Sequence, residues 1–158
     1  MLRKDYPAQG KVPKAMSFHW VMKRARCWAI TWVGARSARV VAASRCSAER
    51  IAAGIENAAV LPKLNLAGVA KVIAGASACV AVDTGLGHLA AALDVPSISL
   101  YGPTLPGRVG AYGRGQVHLC ATGPNAGSGD RHKACFDGLD AERVATQLQA
   151  LLLAEDVV

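Results

Sequence analysis

An α/β fold, a parallel sheet flanked by helices, is predicted for this chain by three observations. Helix-like and strand-like segments alternate three times between residues 47 and 101. The strand-like segments are short and apolar on both faces, as strands covered on two sides must be. The connections between them are only a few residues long, which keeps successive elements packed as neighbours. At 158 residues and 52% hydrophobic content, the chain has the size and composition of one ordinary domain with a core.

Taken in order, Ser47 can cap a short helix, AERIAA, that Gly54 closes; AAVL at 58–61 is a strand halted by Pro62. Asn65 then caps LAGVAKVIA, which sets Leu66, Val69, Ala70 and Ile73 on one face and ends at Gly75. ACVAV (78–82) is a strand, LGHLAAAL a helix, and SISLY (97–101) a further strand. A Gly/Pro-rich loop spans 102–115. After it come a strand, QVHLC, a polar loop, and a last helix, AERVATQLQALLLAE, that Asp140 can cap.

Residues 1–46 read differently. Residues 1–50 carry eleven Lys/Arg against two acids, and residues 51–158 carry seven against nine, so the overall +7 describes a basic head. Trp20, Trp28 and Trp32 all lie there, and charges at Lys23, Arg24, Arg26, Arg36 and Arg39 interrupt both the 3.6 and the 2 period. The expected division is an irregular basic head at 1–46 and a folded domain at 47–158. A basic arm for nucleic acid or anionic lipid, an Arg-rich targeting segment and a poorly ordered head are competing readings of it. No bilayer span is expected, because the longest uncharged run, Cys27 to Ala35, is far short of the roughly 20 residues a membrane requires. Cys27, Cys46, Cys79, Cys120 and Cys135 form an odd set without a C-x-x-C pair, which argues against a disulfide framework or a zinc site and for a reducing compartment. Cys120, His132 and Cys135 border one loop and are the nearest approach to a metal-ligand group.

The chemistry concentrates in VAVDTGLGHLAAAL (80–93). Asp83 follows a buried strand, and in open α/β sheets ligands gather beyond the carboxyl ends of strands. Thr84 to Gly87 lead into a helix whose first N–H groups and positive dipole end favour an anion. Gly85 and Gly87 lack Cβ atoms, so a phosphate can approach the backbone; Thr84 adds a hydroxyl and His88 an imidazole N–H. A diphosphate fits this description. Structural readings stand beside it: Gly85 and Gly87 can serve helix–strand packing alone, Asp83 can be a cap, and His88 an ordinary satisfied histidine. The D-T-G string also matches the turn of aspartic proteases, but the helix-forming LGHLAAALD that follows does not suit their β-rich fold.

VLPKLNLAGVAKVIAGASACVAVDTGLGHLAAALDVPSISLYGPT (60–104) resembles the C-terminal nucleotide-sugar domain of the lipopolysaccharide heptosyltransferases, glycosyltransferase family 9, nearest its heptosyltransferase I branch. The likeness covers residues 47–120 and, less specifically, the closing CFDGLDAERVATQLQALL; V-D-T-G-L-x-H-L with Y-G-P-T is its specific part. The resemblance implies a partial Rossmann-like domain of a GT-B enzyme, an inverting, metal-independent glycosyltransferase without a cofactor. It moves heptose from ADP-heptose to the Kdo of the inner core, on Kdo-lipid A, at the cytoplasmic face of the inner membrane. By the same resemblance Leu64, Asp83, Thr84, Gly85 and His88 bind the donor, with Lys63, Leu86 and Gly87 as secondary candidates. No metal ligand and no nucleic-acid partner are expected.

The departures set the expectations for activity. Members of the family are about twice this length, and their N-terminal domain holds the acceptor and the general base, so no catalytic residue is identifiable here. The family's Lys-containing phosphate loop has no convincing counterpart, Trp32-Val33-Gly34 is a faint echo of its Pro-Trp-Gly segment, and Leu105 stands where an aspartate is frequent. A truncated or frame-shifted gene is the expected origin. The alternatives to a donor-binding half-enzyme are an inactive remnant that binds ADP or an ADP-sugar, and an interaction protein whose basic head docks on anions.

Overall fold

The computed structural model describes residues 28–32, 38–42, 49, 52, 58–124, 126–129 and 136–155. Six strands, β1 (Trp28–Trp32), β2 (Ala38–Ala42), β3 (Ala58–Val60), β4 (Ala78–Val82), β5 (Ser97–Tyr101) and β6 (Gln116–Cys120), form one open sheet in the order β3-β2-β1-β4-β5-β6. The helices are α1 (Leu66–Ala74), α2 (Gly85–Ala92), the one-turn α3 (Pro106–Val109) and α4 (Ala141–Glu155). Residues 49 and 52 are helical as well, consistent with AERIAA. Its flanking Ser47 and Gly54 lie outside the described residues, as do Trp20, Cys27, Cys46, His132 and Cys135.

Local signals account for most boundaries. Asn65 accepts a hydrogen bond from the Gly68 N–H at 2.9 Å and so starts α1, and Asp140 accepts from the Arg143 N–H at 2.7 Å at the start of α4. The end of α2 has no glycine. Asp94 takes a left-handed φ of 53°, and the Val95 N–H returns to the Ala90 carbonyl at 2.9 Å; aspartate is among the residues that tolerate this conformation.

Alternation along the strands divides the core into two layers. Ala78, Val80, Ile98 and Leu100 face Val144 and Leu148 of α4, with Ala52 packed against the same group. Cys79 and Ala81 face Val69 and Ile73 of α1 and Ala90 of α2. SISLY is buried at all five positions. Its polar Ser97 is satisfied there by donating to the Gln116 side chain, while Gln116 Nε2 donates to the Val95 carbonyl at 2.9 Å.

Two expectations change. The folded unit does not start at residue 47: WAITW and ARVVA, within the stretch read as an irregular head, are β1 and β2 of the same sheet, and β1 covers the edge of β4. A period search over a helix-length window misses them because that window spans two five-residue strands and the five residues between. The sheet is also not wholly parallel. β1 runs against both β2 and β4, whereas the pairs β2·β3, β4·β5 and β5·β6 are parallel. Five residues separate β1 from β2, enough for a hairpin and too few for a crossover, so the reversal follows from the connection length. The strand order then changes direction between β1 and β4, and β4 is the strand that Asp83 follows.

Candidate functional site

The end of β4 and the start of α2 bring Asp83, Thr84, Gly85 and His88 together. The Asp83 N–H donates to the Leu100 carbonyl at 3.1 Å, which extends the β4·β5 ladder by one residue and fixes the point where the chain leaves the sheet. Thr84 is extended, at φ −148° and ψ 166°, and occupies the N-cap of α2 without using its side chain as a cap. Its Oγ1 is buried and, among the described residues, meets no hydrogen-bond partner. Buried hydroxyls are ordinarily paired, so this atom is an exception within the described part of the chain.

The backbone beside it is in the same condition. Gly85 and Leu86 open α2, and no carbonyl among the described residues accepts from their N–H groups, as expected for a helix N-terminus. A Cβ on Gly85 would meet nothing within 4 Å, so neither packing nor a positive φ asks for glycine there. Open space, two unpaired N–H groups and an orphaned hydroxyl describe a seat for an anion of phosphate chemistry. His88, one turn along the helix, is exposed.

Gly87 has a different job from Gly85. Its N–H already donates to the Thr84 carbonyl at 3.1 Å, and a Cβ there would lie 3.0 Å from Ser99 Oγ on β5. Of the two readings open for these glycines, close helix–sheet packing holds for Gly87. Leu64 and Leu86 are half-buried and pack against the core layer of α1 and α2, and Lys63 is exposed. Leu64 thus lies on the same face of the sheet as α2.

One residue of the site was not singled out by sequence reasoning. Thr104, the last residue of Y-G-P-T, donates its hydroxyl to Asp83 Oδ2 at 2.6 Å. The signal was present, since Y-G-P-T accompanies V-D-T-G, but only the pairing of parallel β4 and β5 shows why the two strings belong together. Beneath them Tyr101 is buried, edge-on to His118 at 5.4 Å between ring centroids. Burial pushes the Tyr101 phenol above its ordinary value, opposed by a hydrogen bond with the Ala111 backbone and reinforced by the Asp83 charge. His118 Nε2 bonds the Ala111 carbonyl at 2.8 Å, which ties the loop after α3 to β6.

Among the described residues there is no group of three or more His, Cys, Asp or Glu that could hold a metal ion, and no helix long and apolar enough to cross a membrane.

Comparison with known proteins agrees with this architecture. A curated relative, lipopolysaccharide heptosyltransferase 1 of Pseudomonas aeruginosa, is 57% identical over 136 residues, which cover 74% of this chain and 38% of the relative. The Escherichia coli K12 protein of the same name is 57% identical over 70 residues, 44% of this chain and 22% of that one. The chain therefore spans well under half the length of these relatives. Among solved structures, E. coli heptosyltransferase WaaC with ADP superposes with a TM-score of 0.56 at 42% identity, covering 66% of this chain and 30% of the other. E. coli ADP-heptose lps heptosyltransferase II gives 0.58 at 26% identity, covering 70% and 34%. The family model for glycosyltransferase family 9 (heptosyltransferase) matches residues 21–137, a stretch that takes in β1 and β2 along with the whole candidate site. On that match, the chain belongs to glycosyltransferase family 9, the heptosyltransferases.

Proposed function

We propose that this chain is the donor-binding half of a heptosyltransferase: it holds ADP-heptose by its diphosphate and stabilises departing ADP while heptose passes to the Kdo of Kdo-lipid A, with no metal required. The observation that carries the reading is the buried Thr84 Oγ1, without a partner among the described residues, beside the open backbone of Gly85. WaaC has been solved with ADP and with ADP-2-deoxy-2-fluoro heptose, which supports the same ligand class here.

The chemistry assigned to the residues is electrostatic. Breaking the bond from the sugar to the diphosphate leaves negative charge on the departing phosphate oxygens. Fixed donors stabilise that charge without reorganising at the moment of reaction: the Gly85 and Leu86 N–H groups, the Thr84 hydroxyl and the His88 imidazole. Asp83 accepts hydrogen bonds only and repels phosphate, so its partners are hydroxyls of the donor. Nothing among the described residues is assigned as the base that activates the acceptor, and the acceptor sits at the cytoplasmic face of the inner membrane in this reading.

A second reading keeps the binding and drops the transfer: ADP or an ADP-sugar binds but no heptose is transferred, since no base and no acceptor contact is assigned among the described residues. Titration of the chain with ADP in EDTA, repeated on His88→Ala, tests the site. Binding unaffected by EDTA and weakened by the substitution is expected. A folded chain that ignores ADP, or equal affinity in the variant, would sink the proposal. ADP release from ADP-heptose on addition of Kdo-lipid A separates transfer from binding alone.

A further inference from the structure

The contact between Thr104 and Asp83 joins residues that follow two neighbouring strands. Asp83 is the first residue after β4, its N–H fixed to the Leu100 carbonyl, while Thr104 stands three residues beyond the end of β5. The backbone leading to Thr104 is itself held. Gly127 N–H donates to the Gly102 carbonyl at 3.0 Å and Gly129 N–H to the Pro103 carbonyl at 2.6 Å. Both glycines have positive φ, 69° and 76°, a turn geometry that aims these donors at the Y-G-P-T segment and that other residues rarely adopt. The Thr104 hydroxyl is placed by the fold and not by its own rotamer alone.

An aspartate at the mouth of a ligand site has two oxygens and free rotation about its side chain. Here Oδ2 is engaged at 2.6 Å, and no donor among the described residues meets Oδ1. We propose that Thr104 is a positioning residue of the donor site: its hydroxyl locks the Asp83 carboxylate in one orientation and leaves Oδ1 to accept hydroxyls of the sugar nucleotide. The ordering of Asp83 is then complete before the donor arrives, so the donor does not bear its entropic cost. This rests on the donor-binding reading above and adds to it a residue outside the D-T-G-L-G-H turn.

The test is calorimetric titration with ADP-heptose of the wild type, Thr104→Val, Thr104→Ser, Asp83→Ala and the Asp83→Ala/Thr104→Val double variant. Valine keeps the shape and removes the hydroxyl; serine keeps the hydroxyl. Thr104→Val is expected to weaken binding about tenfold, the scale of one hydrogen bond to a charged group, and Thr104→Ser to stay within about twofold. In the Asp83→Ala background Thr104→Val adds no further loss, because the group it acts through is gone. A merely structural role would give the same loss with or without Asp83, or a loss in Thr104→Ser, and either result overturns the assignment. So does unchanged affinity in Thr104→Val, or in Thr104→Ala should the valine variant not fold. If the wild type binds no ADP-heptose, the donor-binding reading fails and this one with it; wild-type binding with indifferent variants removes only Thr104.

Discussion

Thr84→Val separates a ligand-directed hydroxyl from a structural one, because the two make opposite predictions for stability. In the free protein Thr84 Oγ1 is buried and, among the described residues, unpaired. Burying an unsatisfied hydroxyl costs about 1–3 kcal/mol, and valine removes that cost while keeping the shape. Replacing a threonine N-cap normally loses about 1 kcal/mol, but Thr84 makes no side-chain capping bond to lose, and its extended backbone suits a β-branched residue. The substitution should therefore raise stability by about 1 kcal/mol, or about 2–4 °C in Tm for a chain of this size. A hydrogen bond to a charged phosphate contributes about 1.5–3 kcal/mol, so the Kd for ADP should rise by about 10–150-fold. Thermal unfolding by circular dichroism and calorimetric titration with ADP give the two numbers from one preparation. A variant that loses stability and affinity together, or keeps its affinity, would refute the reasoning, since the hydroxyl would then be a structural contact.

The two glycines of the turn should behave differently. Gly85→Val is expected to weaken ADP binding by more than about tenfold with little change in urea midpoint, because its side chain enters open space where the proposed diphosphate would sit. Gly87→Ala is expected to lower stability by about 1 kcal/mol despite the better helix propensity of alanine, since its Cβ would press on Ser99 Oγ; equal effects from the two would contradict their assignments. Burial raises the Cys79 thiol from 9.0 to about 12. Peptide mapping after alkylation of the native protein at pH 8 should find Cys79 protected and half-buried Cys120 modified before it. Above pH 9 the unfolded thiol ionises while the folded one keeps its proton, so this contribution to stability falls progressively from pH 9 towards pH 12. Urea midpoints of wild type and Cys79→Ala across that range should converge or cross as pH rises; parallel curves would argue against the shift.

The α/β alternation was legible because it is written locally. Asn65 and Asp140 announce their helices within three residues, and ACVAV and SISLY announce buried strands by composition. The candidate turn was legible for the same reason, as strand, aspartate, glycines and helix formers are contiguous. β1 and β2 were not, since each is five residues long, the Lys and Arg around them blur any period, and their strand state depends on pairing with β4 and β3 far along the chain.

By itself, then, the sequence determined the helices and strands from residue 58 onward except the one-turn α3, which lies inside the expected 102–115 loop; it also singled out the turn at Asp83 to His88 as a candidate anion seat and carried the family likeness in V-D-T-G-L-x-H-L and Y-G-P-T. Tertiary structure alone decided that β1 is reversed between β2 and β4, that Gly87 packs while Gly85 stands open, that Thr84 Oγ1 is buried without a partner among the described residues, and that Thr104 grips Asp83. The physical reason is range. Propensity, capping and turn chemistry act over a few neighbouring residues, whereas burial, strand order and a hydrogen bond across twenty-one residues exist only after distant parts of the chain have been brought into contact.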